Sequence, residues 1–564
     1  MRLSSVLCVT ALASGCRALI DEPQEQISLG PSPESSDESY ESFESYENED
    51  TDDDPLTEAF DAKVAHALKH YHVPGLAVSV VRKGTTYAKG YGLANTTTST
   101  PVTPDTLFFA GSTTKAHTAA AVSLLVANNT HYPHIQWNTP LHTLLPEFIL
   151  SDPYATTHLT LTDILSHRSG LPRHDTVLIG QDLTLPAIME KLKYLPLTQE
   201  IRTEFQYNNI MYLVAAHLIE KTTNQTLAEF LKENLWTPLK MTSTYLDTAP
   251  ALADERHISE GYYFNPSTNK TSPTHLDYTP VVGGAGNILT SVNDYAKWIS
   301  ALLARAPPIP EEGYAALFGA HTIVAPVTNP PFSAPDLYGL GWTLQSYKGV
   351  QIIQHGGSQV GFGALVALVP EKETGLAILG NEMIGTNEAM MVLSFAIVDE
   401  LLGLAEEERS NWEEIVDNIL AAFRLSNETL SKLYPDLPDT DALLPHPFSL
   451  EDYSGRYTHP AYPTLHIKAD CPERDFLKNP EKWTGARLCA HFDNYKPGTM
   501  SINVEVDLFH VTGTYWTLVS SSAGMDSGAR VEFRISPEGK VTEVGVEFDD
   551  MMQKKQQKIW LTRA

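Results

Sequence analysis

Leu107-Phe108-Phe109-Ala110-Gly111-Ser112-Thr113-Thr114-Lys115 runs directly into Ala116-His117-Thr118-Ala119-Ala120-Ala121-Val122 and Ser123-Leu124-Leu125-Val126. A small-residue turn hands over to a run that, read as a helix, is apolar on nearly every face, so it belongs in the middle of a domain. Ser112 falls at the helix start, where free backbone N–H groups and the helix dipole favour negative charge. Lys115 follows three residues later, one turn on and on the same face. A hydroxyl needs a base to act as a nucleophile, and a desolvated lysine with a lowered pKa is such a base. Ser-x-x-Lys arises by chance about once or twice in a chain of this length, and an N-cap serine beside a surface lysine has the same spacing. A lysine in an alanine-rich buried helix is costly unless it has a role. The stretch therefore offers a candidate nucleophile and base whose partners must lie elsewhere.

The chain around it has 564 residues, too many for one ordinary core, so two or three domains are expected. Its formal charge of −30 is unevenly placed: residues 21–54 hold fourteen Asp or Glu and no Lys or Arg. The remainder is moderately acidic, which argues against nucleic acid or an anionic membrane surface as a partner. Met1-Arg2 followed by Leu3 to Ala13 reads as a secretory signal, with small residues up to Ala18 offering cleavage sites. That apolar run is too short to span a bilayer, and no later stretch is long enough. Cys8 and Cys16 leave with the signal or sit at its edge, so Cys471 and Cys489 are expected to pair in an oxidising compartment. Sequons at Asn95, Asn128, Asn224, Asn269 and Asn427 fit the same secreted, extracellular route.

Residues 19–55 read as an acidic disordered segment, too poor in apolar residues to order itself. Order begins near Leu56 with an amphipathic helix over 56–71, then a hairpin of strands at 76–81 and 85–92. The Ser112 helix follows, then a helical middle section with helices expected at 160–166, 184–195, 208–221, 226–235 and 291–303. Strands return at 341–345, 351–355, 363–369 and 375–380, and a helix over 387–402 closes the unit. This order implies one antiparallel sheet built from both ends of a domain over 56–403, with helices packed on it. A charged, proline-rich linker over 404–445 carries one expected helix, 411–425. From 446 to 564 the alternating pattern predicts a small all-β barrel or sandwich.

Three elements are positioned to complete a site. In Phe205-Gln206-Tyr207-Asn208-Asn209 an extended backbone lets Tyr207 and Asn209 enter one cleft, and the apolar helix that follows holds them. A neighbouring cation lowers a phenol's pKa, which suits Tyr207 as a base or proton shuttle beside Lys115. Asn209 is placed to hydrogen-bond a substrate carbonyl or the lysine. In Gln354-His355-Gly356-Gly357-Ser358, at a strand end, two glycines allow close backbone approach, and the N–H after them can join that of Ser112 as an oxyanion donor. Taken alone, His355 is more often a satisfied strand-end histidine, and such glycines are more often a turn. Leu165-Ser166-His167-Arg168-Ser169-Gly170-Leu171-Pro172 reads mainly as a structural corner, with His167 and Arg168 as lesser candidates.

Taken together these motifs resemble the serine β-lactamase and penicillin-binding-protein family, in particular its class C-like branch of esterases, D-amino-acid peptidases and acyltransferases. Ser112-Thr113-Thr114-Lys115 is similar to the nucleophile motif and Tyr207-Asn208-Asn209 to the Tyr-x-Asn motif. His355-Gly356-Gly357 falls where many members carry Lys-Thr-Gly and the esterase-like ones His-x-Gly. Leu165 to Pro172, and Gly284-Ala285-Gly286 running into Ser291 to Trp298, also look like stretches of the branch. The resemblance covers about residues 56–403 and implies an α/β (α+β) sandwich, an antiparallel sheet flanked by helices. It implies Ser112 as the acylated nucleophile, Lys115 and Tyr207 sharing base and acid roles, and Asn209 orienting substrate. Backbone N–H groups of Ser112 and Ser358 would form the oxyanion hole, with His355, Gly356 and Gly357 lining the cleft. The downstream β-domain resembles the lipocalin-like barrels that follow this domain. Neither a metal nor a cofactor is implied.

Where β-lactam-recognising members hold a substrate carboxylate with a lysine, this chain has His355, mostly neutral at pH 7. An ester, a peptide or other amide fits that site better than a penicillin. The expectation is a secreted hydrolase acting on a small molecule or peptide through an acyl-enzyme. The alternatives are an acyltransferase using the same residues and a catalytically idle binding protein.

Overall fold

The computed structural model describes residues 54–564 except 180–182, 267, 275–279, 329, 425–429, 431–432, 438–441, 473–484, 494–504 and 523–524. The expected signal peptide, nearly all of the acidic segment, the Asn427 sequon and parts of the linker lie outside the described residues. Asn128, Asn224 and Asn269 are exposed, and Asn95 is half-buried. No helix among the described residues is long and apolar enough to cross a membrane.

The first helix, α1 (Glu58–His70), starts where the Thr57 hydroxyl accepts the Phe60 N–H, and it buries Phe60, Val64 and Ala67. The hairpin β1 (Gly75–Arg82) and β2 (Thr85–Asn95) follows, with the short edge strand β3 (Thr100–Pro101). The helical section contributes α2 (Thr114–Ala127), α3 (Asn209–Thr223), the one-turn α4 (Gly283–Gly286) and α5 (Val292–Leu303). The sheet resumes with β4 (Thr322–Ala325), β5 (Asp336–Tyr338), β6 (Thr343–Tyr347), β7 (Val350–Gln359), β8 (Phe362–Val369) and β9 (Thr374–Gly380). Two further helices, α6 (Met383–Leu401) and α7 (Trp412–Arg424), complete this part.

The nine strands form one antiparallel sheet in the order β3-β2-β1-β9-β8-β7-β6-β5-β4. Strands from both ends of the domain therefore meet at the β1–β9 pair. Alternation along β1 sorts the two faces: Ala77 and Val81 join the core around α2 and α3, while Leu76, Val78 and Val80 join the core beneath α1, α6 and α7.

Two departures from the expected pattern bear on the site. The strand expected at 351–355 runs on to Gln359, because β8 pairs with it as far as Gln359–Phe362. His355-Gly356-Gly357-Ser358 thus lies inside a strand, not at its end or in a turn. The pairing of β6 stops at Thr343–Gln354, so from His355 onward one edge of β7 has no strand beside it among the described residues. The short strands β4 and β5 and the hairpin Gly261–Asn265/Lys270–Thr274 were not expected. The β4–β5 register shifts between Ile323 and Ala325, which breaks the alternation a sequence pattern relies on.

The C-terminal part is a closed barrel of eight strands from Gly455–Thr458 to Ile559–Arg563, whose last strand pairs with its first. Tyr453, Tyr457, Trp516 and Phe533 are fully or almost fully buried in its core, where the two tyrosines pack edge to face on Phe533. Cys471 and Cys489 are disulfide-bonded. The barrel touches the helical section at the segment after Leu171. Tyr462 donates its hydroxyl to His174 Nδ1 at 2.6 Å, His174 Nε2 donates to the Pro196 carbonyl, and Lys191 Nζ donates to the Ala461 carbonyl at 2.8 Å.

Candidate active site

Ser112 sits in a single 3-10 turn, Gly111–Thr113, that leads into α2. The hydroxyls of Thr113 and Thr114 accommodate the tight entry by donating to the Ala110 and Gly111 carbonyls. Every residue of α2 from Thr114 to Ser123 is buried, which places Lys115 where the sequence implies, deep in the domain with 0% exposure. Its Nζ lies 3.1 Å from Ser112 Oγ and donates to the Ala285 carbonyl at 2.7 Å. The Tyr207 ring centroid is 4.8 Å from the same Nζ.

No carboxylate contacts Lys115 among the described residues. Burial, and after it the positive charge of Arg173, hold its pKa well below the ordinary lysine value, with Asp175 opposing weakly. Both causes favour the uncharged amine, the form that can take up the Ser112 proton.

The Gly111–Thr113 turn packs directly against Gly357 and Ser358 of β7. Gly111 has φ +49°, a conformation that suits glycine, and a Cβ there would sit 2.5 Å from the Ser358 nitrogen. A Cβ on Gly357 would collide with the Ala110 carbonyl and lie 3.0 Å from the Ser112 nitrogen. The two glycines thus let the Ser112 and Ser358 backbones approach each other closely beside the nucleophile.

The other expected residues are near but differently engaged. His355 is 3% exposed: its Nδ1 donates to the Gly356 carbonyl at 2.6 Å, and its Nε2 accepts the Tyr338 hydroxyl at 2.9 Å. Burial, then the charge of Lys115, take its pKa down to about 3. It is a buried, neutral imidazole with both nitrogens hydrogen-bonded, 6.3 Å from the Tyr207 ring. Asn209, the first residue of α3, donates to Asp175 Oδ1 at 2.9 Å instead of reaching Lys115.

Sequence reasoning missed Arg173 and Asp175. Arg173 Nε donates to Asp175 Oδ2 at 2.7 Å, and its guanidinium lies 5.0 Å from the Tyr207 ring centroid, so Tyr207 is sandwiched between Lys115 and Arg173. The available signal was two opposite charges flanking His174 just after the Leu171-Pro172 corner. Of the lesser candidates, Arg168 is scaffold: with Arg202 it holds the fully buried Asp163. His167, left-handed at φ +58°, accepts the Asn208 N–H on Nδ1 and packs 4.3 Å from the Tyr207 ring, fixing the start of α3.

A family model described as "Beta-lactamase" matches residues 60–392, and one described as a domain of unknown function (DUF3471) matches 441–563. An unguisins hydrolase of Aspergillus campestris is 35% identical over 520 residues, covering 90% of this chain and 92% of that protein. A second, of Aspergillus violaceofuscus, is 32% identical over 537 residues, covering 91% of each. In fold the chain is similar to the octameric penicillin-binding protein homologue from Pyrococcus abyssi, with TM-score 0.53 at 19% identity over 90% of this chain and 99% of that one. A class C β-lactamase from Rhodobacter sphaeroides aligns with TM-score 0.50 at 18% identity, over 61% of this chain and all of its own. The nucleophile turn, the sheet and the sequence match along most of the chain have one explanation: this protein belongs to the β-lactamase family and is one of its serine hydrolases.

Proposed function

We propose that the protein is a secreted hydrolase that cleaves an ester or amide bond through an acyl-enzyme on Ser112, with unguisins as the first substrates to test. The observation that carries this reading is the 3.1 Å approach of a buried, uncompensated Lys115 to Ser112 Oγ. Neutral Lys115 accepts the Ser112 proton as Oγ attacks the substrate carbonyl carbon. The tetrahedral oxyanion is held by the Ser112 and Ser358 amides, whose convergence the two glycines permit. The proton passes from Lys115 Nζ, by way of Tyr207, to the departing amine or alcohol, and the acyl group stays on Oγ. Water then enters, gives its proton back along the same route and releases the acid, restoring the serine.

His355 supports a substrate without a β-lactam-type carboxylate anchor. A neutral imidazole bonded to Tyr338 and Gly356 offers no cation there. Arg173 lies 5.0 Å from the Tyr207 ring, and Asp175 offsets its charge. The unguisins assignment rests on the two Aspergillus relatives, which match across the barrel as well as the catalytic part.

Purified protein incubated with an unguisin should convert it to a product heavier by one water, read by liquid chromatography and mass spectrometry. Ser112→Ala should leave it unchanged. Turnover of simple esters with an untouched unguisin would keep the chemistry and reject the substrate.

A further inference from the structure

On the sheet face opposite Ser112, α1 and α7 come together at their solvent-exposed sides. Each contributes a pair of side chains four residues apart, which lie on one face of a helix. From α1 these are His66 and His70, with rings stacked at 5.6 Å between centroids and 15° between planes. From α7 they are Glu413 and Asp417. His66 Nε2 lies 2.9 Å from Glu413 Oε2, and His70 Nε2 lies 3.2 Å from Asp417 Oδ2. One ligand atom from each of His66, His70 and Glu413 falls within 4.8 Å of the others.

From this juxtaposition we propose that His66, His70, Glu413 and Asp417 form a divalent-metal site of the zinc class, clipping α7 to α1. Zinc takes imidazole nitrogen and carboxylate oxygen at about 2.0–2.2 Å in a tetrahedron, which sets its ligand atoms roughly 3.3–3.5 Å apart. The two His–carboxylate spacings, 2.9 and 3.2 Å, are already close to that value. Two neutral imidazoles and two carboxylates also balance a doubly charged ion.

The surroundings favour a cation over ordinary ion pairing. Among the described residues no lysine or arginine is ion-paired with Glu413 or Asp417. The four side chains are between 37% and 60% exposed, so an ion can enter without any rearrangement of the core. A metal here joins the first helix of the sheet domain to the helix that leads away from it, and stabilises only the folded chain.

The test uses the full chain, stripped with a chelator and dialysed, then titrated with zinc chloride by isothermal calorimetry and followed by thermal unfolding. The expected result is one zinc per chain with a raised Tm, reversed by chelator. His70→Ala and Glu413→Ala should each weaken binding at least tenfold while circular dichroism shows an unchanged fold. The chain has 20 histidines, so zinc taken up elsewhere is possible and the variants decide. Absence of stoichiometric uptake, or uptake that a His66→Ala/His70→Ala double variant retains, overturns the proposal.

Discussion

Two charged groups are fully buried within the helical half of the sheet domain, and their treatment is opposite. Asp163 has 0% exposure but receives Arg168 Nε at 2.7 Å, Arg202 Nη2 at 2.8 Å and the Thr160 hydroxyl at 2.8 Å. Burial pushes its carboxyl up, yet hydrogen bonds from Arg202 and Thr160 and the charge of Arg168 outweigh it and leave the pKa below the usual value. Lys115 has the same burial with no carboxylate contact among the described residues, so burial wins and its pKa falls. Compensated burial is scaffold, whereas uncompensated burial beside a hydroxyl makes a base.

The comparison is broken most directly at Lys115. Lys115→Met should lower the rate of Ser112 acylation by a fluorophosphonate about 10³-fold, a general-base effect, with the fold intact by circular dichroism. A rate within tenfold of wild type would mean that another group activates the serine. Asp163→Asn should do the reverse: a loss of about 3 kcal/mol in denaturant unfolding from orphaning two arginines, with the acylation rate of the folded protein kept within about threefold.

Gly357→Ala tests the strand contact between these extremes. Its Cβ collides with the Ala110 carbonyl, so the Ser112 and Ser358 amides must separate, and acylation should fall about 10²-fold as when one oxyanion donor is removed. Tyr462→Phe removes the barrel's hydrogen bond to His174, the residue between Arg173 and Asp175. It should cost about 1 kcal/mol in unfolding and change kcat/KM only a few-fold, because the barrel touches the site at one remove.

The last effect is a slope. The folded chain releases the Lys115 proton at a lower pH than the unfolded chain, whose ordinary value is 10.5. Stability therefore rises with pH in that window by way of this group. The wild-type stability minus that of Lys115→Met should grow from pH 7 to pH 10, and a flat difference would place a charged lysine in the folded protein.

What the sequence made legible was local. Ser112 and Lys115 are one helical turn apart, and an all-apolar helix around them already implies burial. The sheet followed from strands at both ends of the domain, and the order of its motifs carried the family resemblance. What it hid depends on long-range pairing. That His355 is saturated follows from Tyr338 on β5, a three-residue strand with no clear alternation. Asn209 turns to Asp175 because the corner after Leu171 folds back on the start of α3. The carbonyl that holds Lys115 belongs to Ala285, 170 residues away, and a backbone oxygen leaves no trace in a sequence.

The central claim is that Lys115 makes Ser112 a nucleophile. Intact-mass spectrometry after exposure to a fluorophosphonate, for wild type, Ser112→Ala and Lys115→Met, tests it most directly. The account predicts one covalent adduct on wild type, none on Ser112→Ala, and a trace on Lys115→Met at the same exposure. Equal labelling of wild type and Lys115→Met, or an adduct that survives Ser112→Ala, would contradict it.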